Sequence, residues 1–165
     1  MSDIRLEVKG LKELQKKLTK EVIVQPFNAG IKKITLALQR EVTVATPSIT
    51  GRLRASITPK LTEENGIFQG LVGTNVLYAT SVEYGTQPHI IRPKTKKALR
   101  FFIGGQEVFA KFVRHPGSQA RHVTEGSSVR VKGEGMFAFG LKQVQEKMGE
   151  YLKEIGLAIE QRWNK

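Results

Sequence analysis

Residues 57–73 read ITPKLTEENGIFQGLVG, and they decide the class of fold. Ile57–Leu61 and Ile67–Gly73 have the composition of strands, with Glu63-Glu64-Asn65-Gly66 between them. Asn-Gly is a strong hairpin signal, because both residues tolerate positive φ in a type I′ turn. A strand pair is therefore expected in the middle of a chain whose two ends have a different period.

Towards the N-terminus, Val8, Leu11, Leu14, Leu18 and Val22 recur at steps of three and four. That spacing predicts an amphipathic helix over 8–24. Pro26 suits the first turn of a second helix to about residue 45. Its apolar stripe is Phe27, Ile31, Ile34, Leu38, Val42 and Ala45. At the other end, Leu141, Val144, Met148, Tyr151, Leu152, Ile155, Ile159 and Trp163 predict one long helix over 137–163. Gly149 and Gly156 interrupt that stripe and would admit a close neighbour.

The middle is rich in short elements. Arg52–Ile57 predicts a helical turn, and Val76–Tyr84 fits neither period. Ala98–Ile103 and Glu107–Val113 predict a second hairpin around Gly104-Gly105. His89–Arg92, bounded by Pro88 and Pro93, is at best an edge strand. Residues 114–135 form a long basic loop with a short strand at Val129–Lys132. The expected fold is α+β, an antiparallel sheet of hairpins packed against two N-terminal helices and a long C-terminal helix. A single domain over 1–165 is expected: a helix pair (1–45), a strand-rich core (46–113), the loop (114–135) and the closing helix (136–165).

Composition narrows the chemistry. The chain has 165 residues and is 39% apolar, enough for one modest core. No apolar run reaches membrane-spanning length, so no membrane partner is expected. The N-terminus has no apolar h-region and does not resemble a secretory signal. Cysteine is absent, which excludes disulfides, thiolate metal sites and cysteine nucleophiles. Asp3 is the sole aspartate, so the clustered short carboxylates of calcium loops and two-metal nucleases are not on offer.

The remaining catalytic patterns are weak. His89, His115 and His122 lack the helical spacing and carboxylate support of a metal site. Ser118 follows His115 by three residues, without a G-x-S-x-G elbow or an aspartate to orient the imidazole. Gly133-Glu134-Gly135 precedes a helix but lacks the lysine and hydroxyl of a phosphate loop. Neither an enzyme nor a cofactor is expected.

Charge is the stronger signal. The net charge is +12, and residues 86–133 hold ten Lys/Arg against two acids. Arg92, Lys94, Lys96, Lys97 and Arg100 fall within nine residues, and Arg114, Arg121, Arg130 and Lys132 follow. Such a local excess suits a polyanion, whose phosphates release counterions on contact. Phe101, Phe102, Phe109 and Phe112 lie among these cations, and their place in a hairpin makes core packing the expectation. Nucleic-acid contact would then be to the backbone alone, without sequence preference.

Two motifs carry a resemblance. Residues 46–57 read TPSITGRLRASI, followed by Val72-Gly73-Thr74, Tyr78-Ala79 and Val82-Glu83-Tyr84-Gly85-Thr86. In order and spacing they resemble the signatures of the tail-completion or neck proteins of long-tailed bacteriophages. The leading helix pair and closing helix are similar as well. Ile49 departs from that pattern, which has an aspartate before Thr-Gly, and the basic stretch 87–135 is longer than the family's usual run.

The resemblance implies assembly without chemistry. It implies a homo-oligomeric ring, six-fold favoured, around the DNA channel where tail meets head, with tail and head-completion proteins as neighbours. The place would be the virion, with the host cytoplasm during assembly, from a free phage or a prophage. The family-motif residues are Thr50, Gly51, Arg52, Leu53, Arg54, Ser56, Tyr78, Glu83, Tyr84, Gly85 and Thr86. Glu83, an acid in an apolar stretch, is expected to pair with an arginine such as Arg54. The basic stretch would face genomic DNA in the channel or an acidic neighbour. The alternative is a free, sequence-nonspecific nucleic-acid-binding protein.

Overall fold

The computed structural model describes residues 22–64, 67–124 and 130–164. The expected helix over 8–24 and the Asn65-Gly66 turn thus lie wholly or mainly outside the described residues. The fold is α+β, with helices towards both ends and antiparallel strand pairs between them. In chain order these are α1 (Val24–Ala45), α2 (Arg52–Ala55), β1 (Thr58–Glu64), β2 (Ile67–Gly73) and α3 (Ala79–Glu83). Then follow β3 (His89–Ile91), β4 (Leu99–Ile103), β5 (Gln106–Ala110), β6 (Val113–His115), β7 (Arg121–Val123) and β8 (Arg130–Lys132). The chain closes with α4 (Met136–Glu146) and α5 (Met148–Trp163).

Two compact units form. The first gathers the described part of 22–41, Ile57–Gly73 and residues 140–164. Its strands β1 and β2 form the expected hairpin, paired from Thr58↔Gly73 to Glu64↔Ile67, so β1 runs on through Glu63 and Glu64, which were expected in the turn. The hairpin meets α1 closely at Gly70, where a Cβ would fall 1.8 Å from Thr35 Oγ1. Thr35 is buried, and its hydroxyl donates to the Ile31 carbonyl at 2.7 Å. Gln39 Nε2 donates to the Ile57 carbonyl at 3.0 Å and ties the hairpin's base to the same helix.

Helix α5 runs antiparallel to α1 within this unit. Ile155 fills the space over Gly30, Lys33 pairs with Glu154, and Arg162 Nη1 donates to Gln25 Oε1 at 2.7 Å. The small residue at position 30 is what lets the helices approach. Among the described residues Gly149 and Gly156 do not have this role, since a Cβ at either meets none of them within 4 Å. The closing helix also differs from one continuous rod. It breaks at Lys147, whose N–H donates to Val144 O at 3.1 Å in a tight three-residue turn.

The second unit comprises Val42–Ser56 and Thr74–Phe139. Its buried residues include Val42, Ala45, Thr46, Leu53, Ala79, Val82, His122, Val123 and Met136. Fully buried Thr46 donates to the Val42 carbonyl at 2.6 Å, and its hydroxyl oxygen lies 3.3 Å from Met136 Sδ. The ambiguous stretch 76–84 folds as the short helix α3.

From this unit runs one long antiparallel arm. A bridge pairs Thr86 with Ser118, β3 pairs with β6 (His89↔His115 to Ile91↔Val113), and β4 pairs with β5 (Leu99↔Ala110 to Ile103↔Gln106). Gly104 and Gly105 turn the tip at φ 56° and 84°, as a type I′ turn requires. Residues 92–98 face only residues 111–112, so one strand bulges out by five residues.

The long loop expected at 114–135 is a correction. Its start belongs to β6, and β7 and β8 pair across it from Arg121↔Lys132 to Val123↔Arg130. The strand signal was hidden because β7 has three residues, one of them a histidine. His122 is a core residue: its ring stacks on Phe139 at 4.1 Å, and Nδ1 lies 3.0 Å from the Glu134 carbonyl.

Candidate assembly surface and polyanion sites

The motif residues divide into a joint and a display. Gly51 takes φ 77° and opens α2, where Leu53 is buried. Arg54 Nη2 donates to the Thr46 carbonyl at 2.9 Å. Ser56 Oγ donates to Leu53 O at 2.7 Å and meets Thr74 Oγ1 at 2.5 Å, which links the first motif to the second. Thr74 Oγ1 also accepts from the Val76 N–H at 3.2 Å.

Glu83 does not pair with Arg54. Its carboxylate accepts from the Phe137 N–H at 2.8 Å and the Ala138 N–H at 3.0 Å. These are free amides in the first turn of α4, where the helix dipole favours a negative charge. Gly135 is needed beside it, because a Cβ there would stand 2.5 Å from Glu83 Oε2. The first turn of the closing helix thus receives an anion that the chain itself supplies.

Gly85 and Thr86 found the arm. Gly85 has φ 76°, and a Cβ would fall 2.1 Å from Ser118 O. Thr86 and Ser118 exchange both backbone hydrogen bonds, at 2.8 and 2.9 Å. The other motif residues face outward. Thr50 and Arg52 are exposed, Tyr78 is 46% exposed, and Tyr84 is 81% exposed. Ile49 and Leu77 beside them are almost fully exposed, so the motif region presents apolar side chains to solvent.

The basic residues separate into two places. Arg92, Lys94, Lys96, Lys97, Arg100 and Arg114 are all exposed on the arm. Lys94, Lys96 and Lys97 lie in its bulge. Arg92 sits over the Phe112 ring, while Arg100 pairs with Glu107 and sits over Phe102. Arg121 and Lys132 instead line a cleft at the arm's base. Arg130 enters β8 through its backbone.

Core packing does not hold for three of the arm's four phenylalanines, while Phe101 is half-buried. Phe102 is 63% exposed, Phe109 64% and Phe112 48%. A two-stranded ribbon has two faces and nothing among the described residues buries either, because no residue from 84 to 121 is buried. Phe109 and Arg100 are register partners on one face, and with the bulge they line a hollow of about 550 Å3. Alternation in β4 and β5 hid this, since aromatic strand residues read alike whether a partner covers them or not. His89 and His115, also register partners, stack at 5.0 Å.

No family model, curated protein or solved structure matches the chain.

Proposed function

We propose that this chain is a structural protein of a long-tailed bacteriophage, completing the tail or joining it to the head by ring assembly around the DNA channel. One observation carries the reading. The first family-like motif is tied to the second by the Ser56–Thr74 hydrogen bond, while Glu83 of the second anchors the start of α4 and Gly85 packs against the Ser118 carbonyl. The side chains around that joint that are not used in it, Ile49, Leu77 and Tyr84, are exposed and apolar. A rigid joint with an uncovered apolar surface suits a protein that works by binding copies of itself and its neighbours. No step of chemistry is assigned.

Light scattering behind a sizing column, at low and high salt, tests it. A discrete ring-sized species, or a monomer that assembles on adding tail tubes, is expected. A monomer that stays so with tail tubes overturns the reading.

The exposed Phe102 and Phe109 beside Arg100 and the bulge lysines favour a second reading, nonspecific nucleic-acid binding. Cations on phosphates and rings on bases are how single strands are held without sequence preference. A monomer that shifts only with DNA, and loses the shift in salt, is its signature.

A further inference from the structure

We infer that the cleft at the base of the arm is a phosphate-binding site. It stands apart from the virion reading, since it rests on the local charge arrangement alone. Arg121 and Lys132 are register partners across β7 and β8, so their side chains leave the same face of the ribbon. Gly133 N donates to Ala120 O at 2.8 Å beside them and holds that register. Like charges directly opposite one another destabilise a strand pair unless a counter-charge sits between them. Both residues line one cleft of about 640 Å3, and among the described residues its lining contains no carboxylate.

The rest of the lining suits an oxyanion. Thr86, Gln87, Ser118 and Gln119, residues with hydroxyl or amide side chains, also line it. Thr86 Oγ1 and Ser118 Oγ meet at 3.1 Å. Only one of their two protons is used in that bond, which leaves the other hydroxyl free to donate. The floor is fixed before any ligand arrives. Gly85 and Gly117, at φ 76° and 88°, press so closely on facing backbone that a Cβ would fall 2.1 and 2.3 Å from carbonyl oxygens. A fixed frame with two cations and neutral donors binds phosphate through charge-assisted hydrogen bonds. The cleft is larger than one phosphate ion, so the group is held as part of a longer molecule or with water beside it.

The test uses the full chain and inorganic phosphate as probe, against chloride at matched ionic strength. Phosphate at ten times its dissociation constant raises the melting temperature by about 2–5 °C over chloride. Arg121→Gln and Lys132→Gln each weaken phosphate about tenfold. The double variant loses the phosphate-specific rise, and in low-salt buffer without phosphate it is at least as stable as the parent, because the opposed charges are gone. Equal melting in phosphate and chloride overturns the site. So does a double variant that folds and keeps the rise. Should the double variant fail to fold, Lys132→Gln alone carries the same comparison, since Lys132 is exposed. A dT20 strand then assigns the source. Displacement of phosphate by dT20, lost in the variants, means a nucleic-acid backbone, and unaltered dT20 binding in the variants means a small phosphorylated molecule.

Discussion

The carboxylate of Glu83 lies against two amides of α4 that have no carbonyl of their own to bond. Replacing it by alanine leaves both without that partner and removes a charge from the favourable end of the dipole. Glu83→Ala should cost about 1–2 kcal/mol, read as a lower urea midpoint at unchanged slope. Glycines give a sharper contrast, because their two kinds of position predict opposite signs. Gly85→Ala meets both a positive φ and a backbone oxygen that cannot retreat, so a loss above about 2 kcal/mol is expected. Gly156→Ala stands in open space inside α5 and should stabilise by about 0.5–1 kcal/mol. Thermal unfolding of the two variants side by side checks both signs. Residue chemistry also explains why Glu83 was misread from sequence. An acid among apolar residues announces a partner, but whether the partner is a guanidinium or a helix end depends on residues fifty positions away.

Among elements, legibility followed the range of the signal. The second hairpin turns at its Gly-Gly pair, and β1 pairs with β2 as a hairpin as expected, because turn chemistry is local. The pairing of β3 with β6 was out of reach. These are three-residue strands joined through another hairpin, and the bulge at 92–98 offsets their register from that of the tip. The break between α4 and α5 was equally silent, since the apolar stripe continues across Lys147. The arm built from these pieces makes its own prediction. Phe102→Ser with Phe109→Ser removes side chains that are mostly in water, so stability should change by less than about 0.5 kcal/mol per site. Oligomer formation or DNA binding should fall all the same, by light scattering and by DNA titration respectively. A large loss of stability instead would mean that the arm's aromatics support the fold.

For the whole molecule, charge and apolar exposure point the same way. Net charge +12 keeps free copies apart at low salt, while Ile49, Leu77, Tyr84, Phe102 and Phe109 are costly to leave in water. Assembly should therefore be favoured as salt rises, whereas binding to a polyanion should weaken. Light scattering and DNA titration over one salt series separate the two. The site was legible as an excess of cations between 86 and 133, but its division was not. Arg121 and Lys132 are eleven residues apart in sequence, and only the β7–β8 register sets them opposite each other, away from the arm's lysines.

The bulge has one more consequence, for proteolysis. Lys94, Lys96 and Lys97 are exposed and belong to no strand, which is the kind of segment that trypsin enters first. A cut there leaves the ladders on both sides of it in place. The nicked chain should run as two fragments on a denaturing gel and still elute with the intact protein on a sizing column.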